Sequence, residues 1–324
     1  MRILKLCKHF VNKKHFFLLL FTFKMKLILR LLKRREEMKK TVPNIVNLKS
    51  QRVVSMMTAY DYPSAKAVSE AEIDIILVGD SLAQVVLGHE DTLSVTVDEM
   101  LHHVKAVTNA KPTSLVVADM PYMSYHVSIE ETIKNAGRFI QEGKADAVKV
   151  EGGSKRKEII EALLNAEIPV MGHLGLTPQS KNVMGGYKIQ GKTLDLAKQL
   201  FEDALLLDEL GCFSIVLEGV PTVVAQSISE NISIPTIGIG AGNQTDGQVL
   251  VLHDLLGMKS KEYIDAKFVK RYDQQFESTI DALKAYKKDI ESRTFPSTEH
   301  SYDMGSDIND SLKEWKKEIK KILS

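Results

Sequence analysis

Between Arg52 and Met258 the chain carries eight short runs rich in Val and Ile, none of which alternates polar with apolar residues. A strand with one face in water alternates, whereas a strand covered on both faces reads as a near-continuous apolar run. The runs are Val53–Thr58, Ile75–Val78, Leu115–Ala118, Ala147–Val150, Val170–Gly172, Ile215–Leu217, Thr236–Ile239 and Val249–Leu252. Amphipathic segments separate them. Thr96 with Glu99 and Ser128 with Glu131 form S/T-x-x-E capping patterns at helix starts, and the second helix is expected to stop near Gly143. Leu194–Leu210 repeats apolar residues at helical spacing and ends before Gly211, a C-cap glycine, and Pro221 stands where a further helix starts. Eight strands with intervening helices in about 200 residues predict an α/β chain folded as a (β/α)8 TIM barrel, with a doubly wound open sheet as the alternative. The eighth strand is the least defined, because Gln248–Leu256 reads equally well as a helix.

Four of these runs end on an acid just before a turn: Asp80 in IILVGDS, Asp119 in LVVADMP, Glu151 in AVKVEGG and Glu218 in IVLEGVP. In both candidate folds the C-terminal ends of parallel strands build the active site. A buried acid is costly unless something pairs with it. Hard divalent cations such as Mg²⁺ take oxygen ligands, and the His/Cys sets typical of zinc are missing. Asp80, Asp119 and Glu151 are therefore candidate metal ligands, against the plainer reading of each as a strand-end cap or salt-bridge partner. Glu218, if left free of the metal, is placed to act as a base, its pKa raised by partial burial. A fourth ligand or an ion pair is the alternative role for it.

Lys149 lies two residues before Glu151 and so points to the same face of its strand. In a barrel that face is the interior, where a lysine requires an anion, either a substrate oxyanion or carboxylate or a structural acid. Ser81 offers a hydroxyl or N–H to a substrate carboxylate, or is simply a turn residue. His173, in GHLGLTPQS, is a hydrogen-bond donor to a substrate oxygen or a support for its acidic neighbours. GGYKIQG (185–191) suits a loop over a site. GIGAGNQTDGQ (238–248) reads either as a phosphate cradle or as glycines that allow close approach of another segment. No strand–GxGxxG–helix fingerprint is present.

The net charge of +1 hides an asymmetry. Residues 1–37 hold 11 Lys and Arg against 2 Glu, which leaves 32 basic and 40 acidic residues in the rest. A mildly acidic body argues against a nucleic-acid partner. The most apolar piece of the leader, Phe16 to Phe23, is far short of the roughly 20 residues of a membrane span. The leader is read as a targeting segment, a membrane-surface helix, or residues upstream of a start at Met38, where MKKTVPNIVNLKS opens like a cytoplasmic protein. Two cysteines, Cys7 and Cys212, exclude a disulfide framework and fit a reducing compartment. The expected organisation is a leader (1–37), a barrel domain (38–290) and a polar tail (291–324), with a short basic helix over Leu312–Leu323 that holds Trp315.

Several phrases, in order, resemble one family: TAYDYPSA (58–65), LVGDSLAQVVLGHEDTLSVT (77–96), ADMPY (118–122), VKVEGG (148–153), GHLGLTPQS (172–180), GGYKIQG (185–191), VLEGVP (216–221) and IGIGAGNQTDGQVLVLHDLLG (237–257). Together they are similar to the ketopantoate hydroxymethyltransferases, from about Pro43 to Tyr272. The resemblance implies a barrel of the phosphoenolpyruvate/pyruvate type. It implies transfer of a hydroxymethyl group from 5,10-methylenetetrahydrofolate to 3-methyl-2-oxobutanoate, giving 2-dehydropantoate for pantothenate and coenzyme A. It places Mg²⁺ on Asp80, Asp119 and Glu151, the 2-oxo acid among Asp80, Ser81, Asp119 and Lys149, and the proton on Glu218. It also implies a homo-oligomer, typically a decamer in the bacterial enzymes, while the start at Met38 and the few cysteines point to the cytoplasm. The rival within the same superfamily is a 2-oxo acid lyase or mutase, which commonly uses a reactive cysteine.

Overall fold

Eight parallel strands pair in chain order and close on themselves, the eighth against the first. They are β1 (Val54–Thr58), β2 (Ile75–Val78), β3 (Leu115–Asp119), β4 (Ala147–Glu151), β5 (Val170–Gly175), β6 (Ser214–Glu218), β7 (Thr236–Ile239) and β8 (Gly247–Leu250). This computed structural model describes residues 38–260 and 264–323. The leader, with all three of its readings, lies outside the described residues. Among the described residues no helix is long and apolar enough to cross a membrane.

The strands lack alternation because both faces are buried. Ile76, Val78, Val116, Ala118, Val148 and Val150 face outward and pack with helix residues such as Val104, Phe139, Ile160 and Leu207. Val54, Met56, Ile75, Leu77, Leu115, Val117, Ala147, Met171, Val216, Ile237 and Val249 face inward and fill the barrel. Ile45, on the helix Val42–Val46, joins this inner cluster. The same period of two places Asp119 above Val117, Lys149 and Glu151 above Ala147, His173 above Met171 and Glu218 above Val216. Each polar side chain thus occupies an inward position on top of an apolar plug.

Helix starts follow local chemistry. The Thr96 hydroxyl accepts from the Glu99 N–H while the Glu99 carboxylate accepts from the Thr96 N–H, and Ser128 caps Glu131 in the first of these ways. Gly211 ends the helix Leu194–Leu210 in the left-handed conformation. Pro221 precedes the helix Thr222–Asn231.

Four strands shift by a residue at one or both ends, β5 runs on to Gly175 and so contains His173, and two further boundaries differ from expectation. β8 is Gly247–Leu250 and not Val249–Leu252, and Leu252–Leu255 turns into a short helix. The strand begins on a glycine because its backbone runs against β1: a Cβ there would lie 2.5 Å from the Val54 carbonyl oxygen. An apolar scan is blind to such a start. The C-terminal helix is Ser306–Leu323, longer than Leu312–Leu323. Asp303 accepts from the Gly305 N–H and the Asn309 side chain and so organises its first turn. The chain divides into two compact units, one running to Leu255 and including Ile264–Lys270, the other taking up the rest, with the helices Gln275–Glu291 and Ser306–Leu323.

Beneath the N-terminal ends of β1 and β2, buried Asp74 gathers its own set of partners. Its carboxylate accepts from Arg52 at 2.6 and 2.7 Å, from Lys40 at 2.7 Å and from the Ser55 N–H at 2.9 Å. Burial pushes its pKa up, but Arg52, Lys40 and Ser55 outweigh this and hold it well below the usual carboxylate range. A depressed pKa contributes stability that is fully present above about pH 4 and is lost as the pH falls through the folded-state value. Asp74→Asn is expected to lower unfolding stability at pH 7 by about 1–3 kcal/mol, and to flatten the loss of stability in acid. Chemical denaturation at pH 7 and at steps from pH 4 down to about pH 2 checks both.

Candidate active site

Strand register brings the charged side chains together. Asp119 on β3 pairs in register with Lys149 on β4, Glu151 on β4 with His173 on β5, and Gly175 on β5 with Glu218 on β6. The Lys149 ammonium lies 2.7 Å from Asp119 Oδ1 and 3.3 Å from His173 Nδ1. His173 Nδ1 lies 3.5 Å from Glu151 Oε1, and its Nε2 lies 3.3 Å from Glu218 Oε2. Asp80, carried past β2 by Gly79, donates its backbone N–H to Asp119 Oδ2 at 3.2 Å. Asp80, Asp119, Lys149, Glu151 and His173 are all buried, while the Glu218 side chain stays 17% exposed at the rim.

These residues line one cavity of about 860 Å³. Ser81 borders it too, and its hydroxyl lies 2.9 Å from the buried Tyr60 hydroxyl. Apolar walls come from Leu77, Val216, Ile239 and Val249, and Tyr187 and Ile189 of the GGYKIQG segment reach the same space. Gly240 and Gly242 also border it. A Cβ on Gly240 would lie 2.7 Å from Phe268, and one on Gly242 would lie 2.4 Å from the Thr222 hydroxyl. Close approach by neighbouring segments therefore accounts for these glycines, and the phosphate-cradle reading is not needed.

The electrostatics follow from crowding acids in a dry place. Burial, then Asp119 and Glu151, push the Asp80 carboxyl well above the usual range. Burial also raises Asp119, with Lys149 pulling the other way. Glu151 is lowered: burial opposes its charge, but His173 and Lys149 prevail. Burial acts to lower Lys149, and the acids Asp119, Glu151 and Asp80 overcome it, so the ammonium is held charged. Burial and Lys149 both act to lower His173, yet the flanking Glu151 and Glu218 hold it up to about 9. The Lys149 contact favours a bare Nδ1, and the two carboxylates favour an imidazolium. The carboxylates prevail because they flank both ring nitrogens.

Asp80, Asp119 and Glu151 converge, but among the described residues no group of three or more His, Cys, Asp or Glu stands as a ready-made chelate. The donor set nonetheless fits a hard divalent cation. It offers only carboxylate oxygens, its summed negative charge exceeds what Lys149 and His173 supply, and Glu151 Oε1 is buried with no hydrogen-bond partner. Asp119 Oδ1 is likewise without a well-directed hydrogen bond, although the Lys149 ammonium is close. The structural alternative for Lys149, an ion pair with a neighbouring acid, is present as well.

Two residues near the acids carry no signal in the sequence. Tyr60 contacts Ser81, and Gln179 contacts Asp80 and Glu151. Neither stands out by charge, periodicity or strand-end position. Only the phrase GHLGLTPQS hints at Gln179.

The ketopantoate hydroxymethyltransferase family model matches residues 39–298. The chain belongs to this family. A 3-methyl-2-oxobutanoate hydroxymethyltransferase of Syntrophobacter fumaroxidans is 54% identical over 264 residues, covering 82% of this chain and 93% of its own. One from Clostridioides difficile is 53% identical, covering 82% of this chain and 96% of its own. Among solved structures, phosphoenolpyruvate phosphomutase from Streptomyces platensis subsp. rosaceus superposes with a TM-score of 0.53 at 12% identity, covering 88% of this chain and all of that one. A 2,3-dimethylmalate lyase of the PEP mutase/isocitrate lyase superfamily gives 0.51 at 13% identity, covering 86% and 96%. At such identities these two establish the shared barrel fold alone. Family membership makes the chain a transferase linked to pantothenate synthesis.

Cys212 does not take the part of a reactive cysteine. It precedes β6, at the end of the strand opposite Glu218, and burial pushes its thiol up to about 12. In the folded protein at pH 8 it is expected to resist thiol reagents until the chain unfolds. Peptide mass spectrometry reads this out, and rapid labelling of native Cys212 contradicts the assignment.

Proposed function

We propose that this site removes the C3 proton of 3-methyl-2-oxobutanoate and joins the resulting enolate to the methylene carbon of 5,10-methylenetetrahydrofolate. The convergence of Asp80, Asp119, Lys149, Glu151 and Glu218 at one end of the barrel carries the reading. A Mg²⁺ ion, for which Asp80, Asp119 and Glu151 are the fitting donors, supplies Lewis-acid stabilisation of negative charge on the 2-oxo acid when bound. Lys149, held charged by its acidic neighbours, contributes a second positive charge in a site sheltered from water. The Ser81 hydroxyl, steadied by Tyr60, is a hydrogen-bond donor for the substrate carboxylate.

Glu218 is the base. Its side chain stays partly exposed at the rim of the cavity while the other three acids are buried, and His173 Nε2 lies 3.3 Å from it. Loss of the C3 proton to Glu218 leaves an electron pair on carbon. That pair forms the new C–C bond to the methylene carbon as one of its two C–N bonds to the folate breaks, the freed nitrogen taking up the proton that left C3. Water then displaces the second nitrogen from that carbon and gives it a proton, which leaves the hydroxymethyl group on the product and releases tetrahydrofolate. The walls formed by Leu77, Val216, Ile239 and Val249 suit the branched alkyl end of the 2-oxo acid.

Glu218→Gln is expected to slow exchange of the substrate C3 proton with D₂O by about 10²–10⁴-fold, while 2-oxo acid binding persists. NMR in D₂O with Mg²⁺ present follows the exchange. Exchange at the parent rate would remove Glu218 from the role of base.

A further inference from the structure

Gln179 is 6% exposed, and every polar group of its side chain is engaged. It sits on the single turn Pro178–Ser180 after β5. Its backbone N–H donates to Glu151 Oε2 at 3.1 Å. Its side-chain Nε2 donates to Asp80 Oδ2 at 2.9 Å and to the Met120 carbonyl oxygen at 3.0 Å. Its Oε1 accepts from the Tyr125 hydroxyl at 2.5 Å. One residue therefore ties an acid that follows β2 to an acid that ends β4. Pro178 borders the cavity, whereas Gln179 and Tyr125 are absent from its lining and stand behind the acids.

The amide can point only one way. Turned over, it would set its oxygen against the Asp80 carboxylate and the Met120 carbonyl, two acceptors, and would offer its NH₂ to Tyr125 instead. The Met120 carbonyl, which can only accept, fixes the productive orientation, and the Tyr125 hydroxyl donates to the amide oxygen so placed. Burial supports this, because an unmade hydrogen bond there has no water to replace it.

We infer that Gln179 is a positioning residue that fixes which oxygen of Asp80 and which oxygen of Glu151 is left for a ligand, with the Met120 carbonyl setting the direction of its amide and the Tyr125 hydroxyl holding its oxygen. It occupies Asp80 Oδ2 from its side chain and Glu151 Oε2 from its backbone. The opposite oxygen of each acid receives nothing from Gln179, and Glu151 Oε1 is buried without a hydrogen-bond partner, with His173 Nδ1 3.5 Å away. Asp119 is held separately, by the Asp80 N–H and by Lys149. The three carboxylates thus share one internal frame, and Gln179 is its joint. Carboxylates left to rotate would present either oxygen, and partners of this kind typically change metal affinity or activity by about 10–100-fold when removed. The inference rests on the functional reading above.

Gln179→Met tests it, because methionine keeps the length and the backbone N–H to Glu151 and removes only the side-chain bonds. The readouts are Mg²⁺ affinity by calorimetry without substrate, C3 proton exchange of 3-methyl-2-oxobutanoate by NMR, and the melting temperature. Gln179→Met is expected to weaken Mg²⁺ binding and slow exchange by about 10–100-fold. Tyr125→Phe should act in the same direction by less, and the double variant should be no worse than Gln179→Met alone, since both act through one amide. Parent-like Mg²⁺ affinity in Gln179→Met, or losses from the two substitutions that multiply independently, would overturn the inference while leaving the proposed function standing. Should Gln179→Met fail to fold, Tyr125→Phe decides: weaker Mg²⁺ binding at an unchanged melting temperature supports the inference, and parent-like binding overturns it. A parent protein that neither binds Mg²⁺ nor exchanges the C3 proton overturns the functional reading instead.

Discussion

The ion pair between Lys149 and Asp119 is the contact on which the rest of the mouth depends. Both groups are buried, and neither is tolerable there alone. Their adjacency is not a side-chain accident. It is set by the register of β3 on β4, which puts Lys149 directly beside Asp119. The next register step puts His173 beside Glu151. Backbone pairing thus decides the order of charges around the barrel before any ligand arrives. A slip of one residue would turn the whole set from the interior to the helix-facing side, where Val116, Ala118, Val148 and Val150 now pack.

The two ends of the barrel solve the same electrostatic problem differently. At the N-terminal end Asp74 is surrounded by more positive charge and donors than it needs, and its pKa is depressed. That is a structural arrangement, complete in itself. At the C-terminal end the acids outnumber the cations, and Asp80 and Asp119 are pushed upward. A site left in that state is poised to gain from an incoming positive charge. The apolar plug of Met56, Leu77, Val117 and Met171 lies among the inward residues below the mouth and keeps its floor dry, which strengthens every interaction above it.

Much of this was legible in the sequence, for identifiable reasons. Runs such as LVVAD and AVKVE lack alternation because both strand faces are covered, so the barrel could be read from hydropathy. Asp119, Glu151 and Glu218 close their runs, so their shared level on the barrel could be read from position. Lys149 declared itself by its spacing from Glu151. β8 was misplaced because Gly247, chosen for contact with β1, carries no apolar signal. Gln179 was missed because an uncharged amide after a proline turn looks like any loop residue. Its meaning lies in contacts to Asp80 and Glu151, 99 and 28 residues away in the chain. Contacts of that kind belong to the closed barrel and to no local pattern.

We propose that Asp80, Asp119 and Glu151 act as one cation site beside a base on β6. A crystal soaked with Mn²⁺ and 3-methyl-2-oxobutanoate tests it most directly, through the anomalous signal of the metal. One peak is expected at the cavity floor, within about 2.2 Å of an oxygen from each of the three acids, with the substrate C3 facing Glu218. A peak bound by only one of them, or lying outside the cavity, would contradict it.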